Sequence, residues 1–343
     1  MTEHDKVVRT LEAVDVLAEP VIDVAGVATR LKAEDSVRGA AVASLFRHAE
    51  VLDVAPACSL CFRRRDVAVP ASAPATANDR VELWWSSAGE LRLRTREGLT
   101  ARSTATEIVI GGQTRSLNSA FRAACTIAVA NLLMLHGRFL FHAAAVAPSG
   151  AAILVLGETG MGKSTLALAA HRLGWSVLAD DMVVMYPDGP LVRARGVSRP
   201  VSVPVDVADA PPGARAVPGD PRQRIELPSG VLSYRIHPVA ALLAIVPNQG
   251  TASLVEPLTG RETFPSLLAA APVPGDRGRF AEVFSLSGTL ARLPAWAFRR
   301  RNDPCRAIED ATVALETVAH LLDERGRAKA QGSVVAHRDP STT

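Results

Sequence analysis

The chain has 343 residues, of which 48% are hydrophobic, which is enough to build one large folded domain or two. Its 38 Lys and Arg residues nearly balance its 35 Asp and Glu residues, and a formal net charge of +3 excludes the strongly basic surface that is typical of nucleic-acid-binding proteins. The polar start of the chain and its short apolar stretches predict neither a secretion signal nor a membrane span, so we expect a cytoplasmic protein.

Residues 1–120 are predicted to form a small α+β region. Short segments of β-forming residues between turn signals predict strands at Val81–Trp85, Leu91–Arg96 and Glu107–Ile110. Cys58 and Cys61 form a C-x-x-C, but the other two cysteines do not supply the second pair that a structural zinc site usually has, so we expect a packing role. Recognition of a substrate and extension of the main sheet are both open as roles for this region.

Residues 121–325 are predicted to form the domain that carries the chemistry. Apolar patterns predict a buried helix, a central strand and two further helices at Asn118–His136, Ala240–Val246, Thr263–Ala270 and Cys305–Leu322, in that order. The polar residues 326–343 are predicted to form a disordered tail.

One motif carries most of the functional information. The segment Val155–Thr165 reads VLGETGMGKST and matches G-x-x-x-x-G-K-[ST], the loop that wraps the phosphates of nucleoside triphosphates. The apolar run Ile153–Leu156 before it predicts a buried strand, and the Leu- and Ala-rich residues after it predict a helix whose N-terminus favours an anion. The alternative is a tight strand-to-helix turn that binds nothing.

The chemistry of this loop predicts ATP and Mg²⁺ as its ligands. Glycines let the backbone turn tightly and point N–H groups into a concavity of anion size. Lys163 would place a positive charge near the β- and γ-phosphates, and the Ser164 hydroxyl would ligate Mg²⁺. The candidate nucleotide-binding residues are Gly157, Glu158, Thr159, Gly160, Met161, Gly162, Lys163, Ser164 and Thr165.

A pair of acidic residues, Asp180 and Asp181, begins 17 residues after Lys163. Gly174 is a natural end for the helix, and Trp175–Leu178 predicts a second strand that leads to Asp180 and Asp181. A strand–helix–strand unit makes parallel neighbours through a right-handed crossover, so both carboxylates are predicted beside the phosphate loop. One of them can hold Mg²⁺ and the other can accept a proton. A solvated acidic turn is the alternative.

The run FHAAAVAPSGAAILVLGETGMGKSTLALAAHRLGWSVLADD, from Phe141 to Asp181, resembles the catalytic domain of bacterial HPr kinase/phosphorylase. That family has a strand with a His, a phosphate loop ending in GKS, a Leu/Ala-rich helix, a Gly and an Ala-Asp-Asp, all at compatible spacing. The resemblance implies an α/β fold with a P-loop kinase core related to phosphoenolpyruvate carboxykinase. It also implies transfer of phosphate to a serine-type hydroxyl.

The resemblance assigns roles to individual residues of this sequence. It implies that Asp180 acts as the general base and that Asp181 belongs to the metal site. The phosphate-loop motif itself predicts that Ser164 shares this metal site and that Lys163 is catalytic. The resemblance also implies that His142 lies near Asp180 and tunes its charge. His142 precedes AAAV, which predicts a strand parallel to the strand of the phosphate loop, and a packed, hydrogen-bonded histidine is the alternative.

The sequence also departs from the family. The E-R-G-x-G run with which the family reads HPr is absent after the Asp pair, so HPr is not the expected acceptor. Glu226 is the candidate for the family's second metal-site carboxylate. HPr kinases form hexamers, so a homo-oligomer is open for this chain.

Arginines cluster in the Pro- and Gly-rich region Pro187–Pro228, and one or two of them could stabilise the charge on a transferring phosphoryl group. Arg222 and Arg224 are preferred because they precede a short segment of alternating apolar residues, and solvated loop charges are the alternative for each. The other arginines considered in this region are Arg193, Arg195 and Arg199. The later triplet Arg299–Arg301 is predicted to cap a helix or face water.

The sequence therefore predicts an ATP-dependent kinase that phosphorylates a serine-type hydroxyl of a peptide or protein. A small-molecule hydroxyl kinase and a non-catalytic nucleotide-binding regulatory module are the alternatives. The Asp pair favours an enzyme, since a pure binding module needs no base. Neither a nucleic acid nor a membrane is an expected partner.

Overall fold

Strands dominate the architecture, which is mixed α/β. The computed structural model describes residues 18–36, 39, 46, 49–78, 80–112, 119–197, 202–204, 214–216, 224–227, 231–233, 235–248, 250, 252–271, 277–301 and 303–336. Within these ranges the strands form sheets of eight, nine and three strands. Among the described helices, none combines the length and the apolar composition that a membrane crossing requires.

The first sheet is built from the N-terminal part of the chain. Its strands are β1 (Val21–Val24), β2 (Val27–Ala33), β3 (Cys58–Arg63), β4 (Thr76–Ala77), β5 (Val81–Trp85), β6 (Leu91–Thr95), β7 (Thr100–Ser103) and β8 (Glu107–Gly111). They lie in the order β1-β2-β3-β8-β7-β6-β5-β4. Helix α1 (Ser119–Leu135) packs against this sheet and shares its hydrophobic core. The three predicted strands and the predicted buried helix of this part of the chain are confirmed.

The C-x-x-C lies within a strand. Cys58 and Cys61 both belong to β3, where residues three apart point to opposite faces of the sheet, so their thiols cannot bind one ion together. Both are buried and free, and burial raises the pKa of the Cys58 thiol. The predicted packing role is confirmed.

The second and third sheets hold the remaining strands: β9 (Phe139–Phe141), β10 (Ala144–Ala147), β11 (Ala152–Leu156), β12 (Ser176–Ala179), β13 (Val183–Asp188), β14 (Leu191–Gly196), β15 (Ser202–Pro204), β16 (Arg215–Ala216), β17 (Arg224–Glu226), β18 (His237–Pro247), β19 (Leu254–Leu258) and β20 (Ala295–Arg300). The nine-stranded sheet runs β12-β10-β11-β18-β14-β13-β9, with β20 also paired to β18 and β19 paired to β20. The small sheet has the order β15-β17-β16. The predicted central strand is β18.

Three parallel strands define the edge that carries the site. β11 and β20 each pair in parallel with β18, so the carboxyl ends of all three strands point the same way. Ligands of open α/β sheets bind in crevices beyond such ends. The chain reaches Gly157 where β11 ends, and Arg300 is the last residue of β20.

The other helices are α2 (Lys163–Arg172), α3 (Gly260–Ala270), α4 (Arg277–Leu290) and α5 (Ala307–Ala336). Helix α3 starts at a capping box in which Thr259 and Glu262 satisfy each other's backbone N–H groups, so it begins earlier than the predicted Thr263. Helix α5 continues to Ala336, whereas a disordered tail was predicted from residue 326. The difference arises because Ala, Lys, Arg and Gln in this segment are good helix formers although most are polar. Residues 337–343 of that predicted tail lie outside the described residues.

Two predictions about strand neighbours are wrong. β10 lies between β11 and β12 and is antiparallel to both, so the strands before and after α2 are parallel but not adjacent. The strand after His142 is likewise antiparallel to β11, not parallel to it. Only residues 148–151 separate β10 from β11, and so short a connection can join only antiparallel strands.

Candidate functional site

The loop 157–162 joins a buried strand to a helix, as the motif predicts. All five residues of β11 are buried, and Leu166, Leu168 and their small neighbours bury α2 against the same sheet. Gly162 precedes the helix with φ of 109°, a backbone conformation that side chains with a Cβ rarely adopt. Its carbonyl accepts the first helical hydrogen bond from the Leu166 N–H. The N-terminus of α2 and its first N–H groups therefore face the loop.

Lys163, the first residue of α2, is 5% exposed, and its ammonium group is held inside the loop. It donates to the carbonyl oxygens of Gly157 at 2.7 Å and Glu158 at 3.1 Å. Burial lowers the pKa of Lys163, and the nearby charges of Asp181 and Asp180 oppose that shift. Both predicted carboxylates are thus close enough to the loop cation to act on it.

His142 connects the lysine to the acidic pair. Its Nε2 lies 3.0 Å from the Lys163 ammonium and its Nδ1 lies 3.1 Å from Oδ1 of Asp181. Because an ammonium group can only donate, Nε2 is the acceptor, and the ring proton then sits on Nδ1 and is donated to Asp181. The Thr159 hydroxyl lies 3.3 Å from the same Nε2. A loop residue, a histidine and a carboxylate thus form one continuous chain of contacts.

The two aspartates have different environments. Asp180 is 4% exposed, and its Oδ2 accepts a hydrogen bond of 3.1 Å from the Ser202 N–H. The side chain of Asp181 is 45% exposed and faces His142. The resemblance implies that His142 lies near Asp180, and in the structure the imidazole contacts the adjacent Asp181.

The remaining residues of the motif occupy the loop and the first turn of α2. Glu158, Thr159 and Gly160 lie in the loop, and the Met161 N–H donates to the Glu158 carbonyl at 3.2 Å. Ser164 is half-buried and Thr165 is buried in the first turn of the helix. All nine motif residues are thus gathered at one end of β11.

The donor set suits Mg²⁺ better than a transition metal. No group of three or more His, Cys, Asp or Glu side chains able to hold a metal ion is found in the described part of the chain. Mg²⁺ usually keeps several waters and takes one or two carboxylates together with substrate phosphates, so it does not need such a group. The side chains of Ser164 and Asp181 carry oxygen atoms of the kind that this mode of binding uses.

The small third sheet brings Glu226 towards the site. Ser202 of β15, whose N–H binds Asp180, stands opposite Glu226 of β17, which is 8% exposed. Glu226 also stands opposite Arg215 of β16. Glu226 thus lies on the strand next to β15, the strand whose Ser202 N–H donates to Asp180.

Two of the five predicted arginine candidates form ion pairs with other residues. Arg193 pairs with Asp188 at 2.8 Å, and Arg195 pairs with the buried Asp23 of the first sheet. Neither is a phosphate-binding residue in this arrangement. Arg199 and Arg222 lie outside the described residues, as does the side chain of Arg224, whose backbone belongs to β17.

Arg300 is a site residue that the sequence did not reveal. Its Nη1 donates to the Met161 carbonyl at 3.1 Å, and its guanidinium would lie 2.8 Å from a Cβ added at Gly162. Its Nε is buried without a hydrogen-bond partner in the described structure. The expectation that the whole triplet caps a helix or faces water is therefore wrong for Arg300. The one signal for Arg300 is its position at the carboxyl end of β20, which is parallel to the central strand β18. That position can be recognised only when the order of strands in the sheet is known.

The neighbours of Arg300 behave differently. Arg299 pairs with Glu256 on β19. Arg301 makes two hydrogen bonds of 2.8 Å to Asp310 in the first turn of α5, and these raise the pKa of its guanidinium. Successive residues of a strand face opposite sides of the sheet, which separates Arg300 from Arg299.

We expect Gly162→Ala to destabilise the protein more than Gly174→Ala. Both glycines have positive φ, at 109° and 77°, so each substitution costs about 1–2 kcal/mol of backbone strain. Only at Gly162 does the added methyl meet the Arg300 guanidinium, whereas nothing lies within 4 Å at Gly174. Urea unfolding of both variants, alone and combined with Arg300→Ala, measures the difference. A difference that survives the removal of Arg300 would contradict the contact.

Comparison with known proteins leaves the family of this chain open. No protein-family model matches it, and no curated protein matches it either. Among solved structures, the Hpr(Ser) kinase/phosphatase from Coxiella burnetii is similar, at 16% sequence identity over 59% of this chain and 99% of that one, with a TM-score of 0.30. A likeness at that level does not carry a functional argument, so function has to be argued from the site.

Proposed function

We propose that this protein is an ATP-dependent kinase with an α/β P-loop core, whose phosphate loop is residues 157–165. One observation carries the proposal: the contact chain from the Lys163 ammonium through His142 to the Asp181 carboxylate. A turn that merely joins a strand to a helix has no need of a buried cation. Burying Lys163 costs free energy, which the negative charge of a bound phosphate would offset.

The loop would bind the β- and γ-phosphates through its N–H groups and the N-terminus of α2. Lys163 has three N–H donors, and they are directed at Gly157, Glu158 and His142. Two of these acceptors belong to the loop and shape it. The contact with His142 is the one that a phosphate oxygen can replace without opening the loop.

Mg²⁺, when bound, would neutralise charge on the phosphate oxygens. Ser164 and Asp181 would hold the ion, and the Nδ1–H of His142 would orient the Asp181 carboxylate. Asp180, held by the Ser202 N–H, would accept the proton of the acceptor hydroxyl while the oxygen of that hydroxyl forms a bond to the γ-phosphorus. The bond from that phosphorus to the β–γ bridging oxygen breaks, and ADP leaves.

The acceptor that we propose is a serine-type hydroxyl of a peptide or protein. The side chains of His142 and Asp181 are 31% and 45% exposed, so the site is open to solvent next to Asp180, although Asp180 itself is 4% exposed. Small-molecule hydroxyls are the alternative, and a screen of acceptors distinguishes the two classes.

Arg300 is proposed to stabilise the charge that develops on the transferring phosphoryl group. We expect Arg300→Met to lower kcat by about tenfold to a hundredfold, the usual cost of losing a hydrogen bond to a charged group. Arg299→Met is the matched control, because Arg299 pairs with Glu256 and not with the loop. Steady-state kinetics of both variants make the comparison. Equal rates for the two would remove Arg300 from the site.

Calorimetric titration with ATP, with and without Mg²⁺, tests the proposal together with a transfer assay using radiolabelled ATP against serine peptides and polyols. We expect Mg²⁺-dependent binding and transfer to a hydroxyl, and loss of transfer when EDTA removes the metal. Binding without transfer to any acceptor would identify a nucleotide-binding module. Absence of ATP binding would overturn the proposal.

A further inference from the structure

The end of β14 contacts the acidic turn, residues 178–182, at both of its ends. A methyl group added to Gly196 would lie 1.7 Å from the Leu178 carbonyl oxygen, so the two backbones are in direct contact where β12 ends. The next residue, Val197, donates its N–H to the Met182 carbonyl at 3.4 Å. Leu178 and Met182 flank the two aspartates, so the end of β14 holds the chain before and after both carboxylates.

Arg195 fixes this strand end to the first sheet. Its Nη2 donates to Oδ2 of Asp23 on β1, and the two side chains are 13% and 9% exposed. The other carboxylate oxygen of Asp23 accepts from the Gly26 N–H, and the Asp23 N–H donates to the Glu50 carbonyl at 2.9 Å. A buried charge pair whose carboxylate is hydrogen-bonded through both oxygens has a defined geometry, so the first sheet sets the position of Arg195.

The alternation of side chains lets one strand end contact two parts of the protein. Val197 belongs to the hydrophobic core of the first sheet and α1, whereas Ala194 and Leu178 belong to a core of the nine-stranded sheet. Because successive residues of a strand face opposite sides, Arg195 and Val197 face the first sheet and Gly196 faces β12. A side chain at position 196 would therefore displace the end of β12 and the two carboxylates that follow it.

We propose that Asp23, Arg195 and Gly196 are positioning residues, through which the first sheet holds both carboxylates of the acidic turn at the phosphate loop. The inference rests on the proposed function, because it concerns the same two carboxylates, and it gives the N-terminal region a role in the reaction. A misplacement of about 1 Å at the reacting groups can lower a rate by about a hundredfold, so loss of these contacts lowers kcat. The phosphate loop itself is carried by β11 and α2, so binding of ATP without Mg²⁺ is preserved.

Gly196→Ala tests the contact with β12. The φ of Gly196 is outside the left-handed region, so glycine is required there for space and not for its conformational freedom. We expect the methyl group to lower kcat by about tenfold to a hundredfold, while the Kd of ATP without Mg²⁺ changes by less than about twofold. Gly288→Ala is the matched control, because nothing lies within 4 Å of a methyl group added there, and it is expected to keep the wild-type kcat. Kinetics with radiolabelled ATP and calorimetry measure the two quantities.

Arg195→Met and Arg195→Lys test the link to the first sheet. Met removes the charge that pairs with Asp23, whereas Lys keeps a positive charge on a long side chain. We expect Arg195→Met to lower kcat by about tenfold or more and Arg195→Lys to regain most of that loss, at unchanged affinity for ATP without Mg²⁺. Arg193→Met is the control on the same strand, since Arg193 pairs with Asp188, which lies outside the acidic turn.

The outcomes separate this inference from the kinase proposal, and urea unfolding shows which variants are folded. If the wild-type protein transfers no phosphate, the kinase proposal fails and this inference fails with it. If the wild type is active and folded Gly196→Ala transfers phosphate at the wild-type rate, this inference alone is overturned. A loss of ATP affinity that parallels the loss of kcat, or an equal loss of kcat in Arg193→Met, would show a structural role only and would also overturn it. Gly196→Ala decides the test if Arg195→Met does not fold.

Discussion

Lys163→Met is expected to abolish ATP-dependent phosphoryl transfer, with a loss of at least about 10²–10³-fold, the range seen when one preorganised electrostatic group is removed from an active site. The same change is expected to weaken ATP binding, because the ammonium is the cation held within the phosphate loop. Transfer measured with radiolabelled ATP and binding measured by calorimetry report the two effects separately.

The fold of this variant has to be checked, because Lys163 also bonds the carbonyl oxygens of Gly157 and Glu158. Those bonds are lost, but so is the cost of a buried cation, and we expect a thermal midpoint within a few degrees of the wild type. Lys32→Met serves as the control, since Lys32 makes a partly exposed contact of 3.7 Å with Glu19. A Lys163→Met protein that is folded and transfers phosphate at the wild-type rate would end the kinase proposal.

Asp180→Asn is expected to separate nucleotide binding from catalysis. The amide keeps an oxygen for the Ser202 N–H and nearly the same shape, so the buried position tolerates it. An amide cannot take the proton of the acceptor, and we expect kcat to fall by about 10²–10⁴-fold while ATP affinity changes little. If this variant turns over at the wild-type rate, the assignment of the base is wrong.

Asp181→Asn is the comparison that makes this test specific. Its amide oxygen can still accept from the Nδ1–H of His142, but the charge that would hold Mg²⁺ is gone. We expect a higher Mg²⁺ concentration for half-maximal transfer, which is a different defect from that of Asp180→Asn. If the two variants show the same defect, the division of roles between the carboxylates does not hold.

Local sequence patterns were sufficient to predict those helices, strands and turns whose conformation depends on neighbouring residues. The glycines and the apolar run around Lys163 predicted a strand, a loop and a helix that are all present, with Gly174 after the last turn at a φ of 77°. The apolar segment that became α1 and the continuous apolar run that became β18 were also predicted. In each case the periodicity of neighbouring residues carries the information.

Contacts between distant segments were not predictable in this way. The insertion of β10 between β11 and β12 changed two predicted neighbours, and the short connection after Ala147 was the overlooked signal. The pairing of His142 with Asp181 depends on where the chain places these residues after β9 and β12 have ended.

The sequence by itself determined the chemistry that is available: a glycine-rich loop with Lys163 and Ser164, and two carboxylates shortly after it. Only the tertiary structure decided which of these groups meet, and it added Arg300, which lies 139 residues beyond Met161 along the chain and bonds to its carbonyl. The physical reason is that periodicity and turn propensity are local properties. The position of β20 beside β18, in contrast, is fixed by burial and backbone pairing summed over the whole sheet.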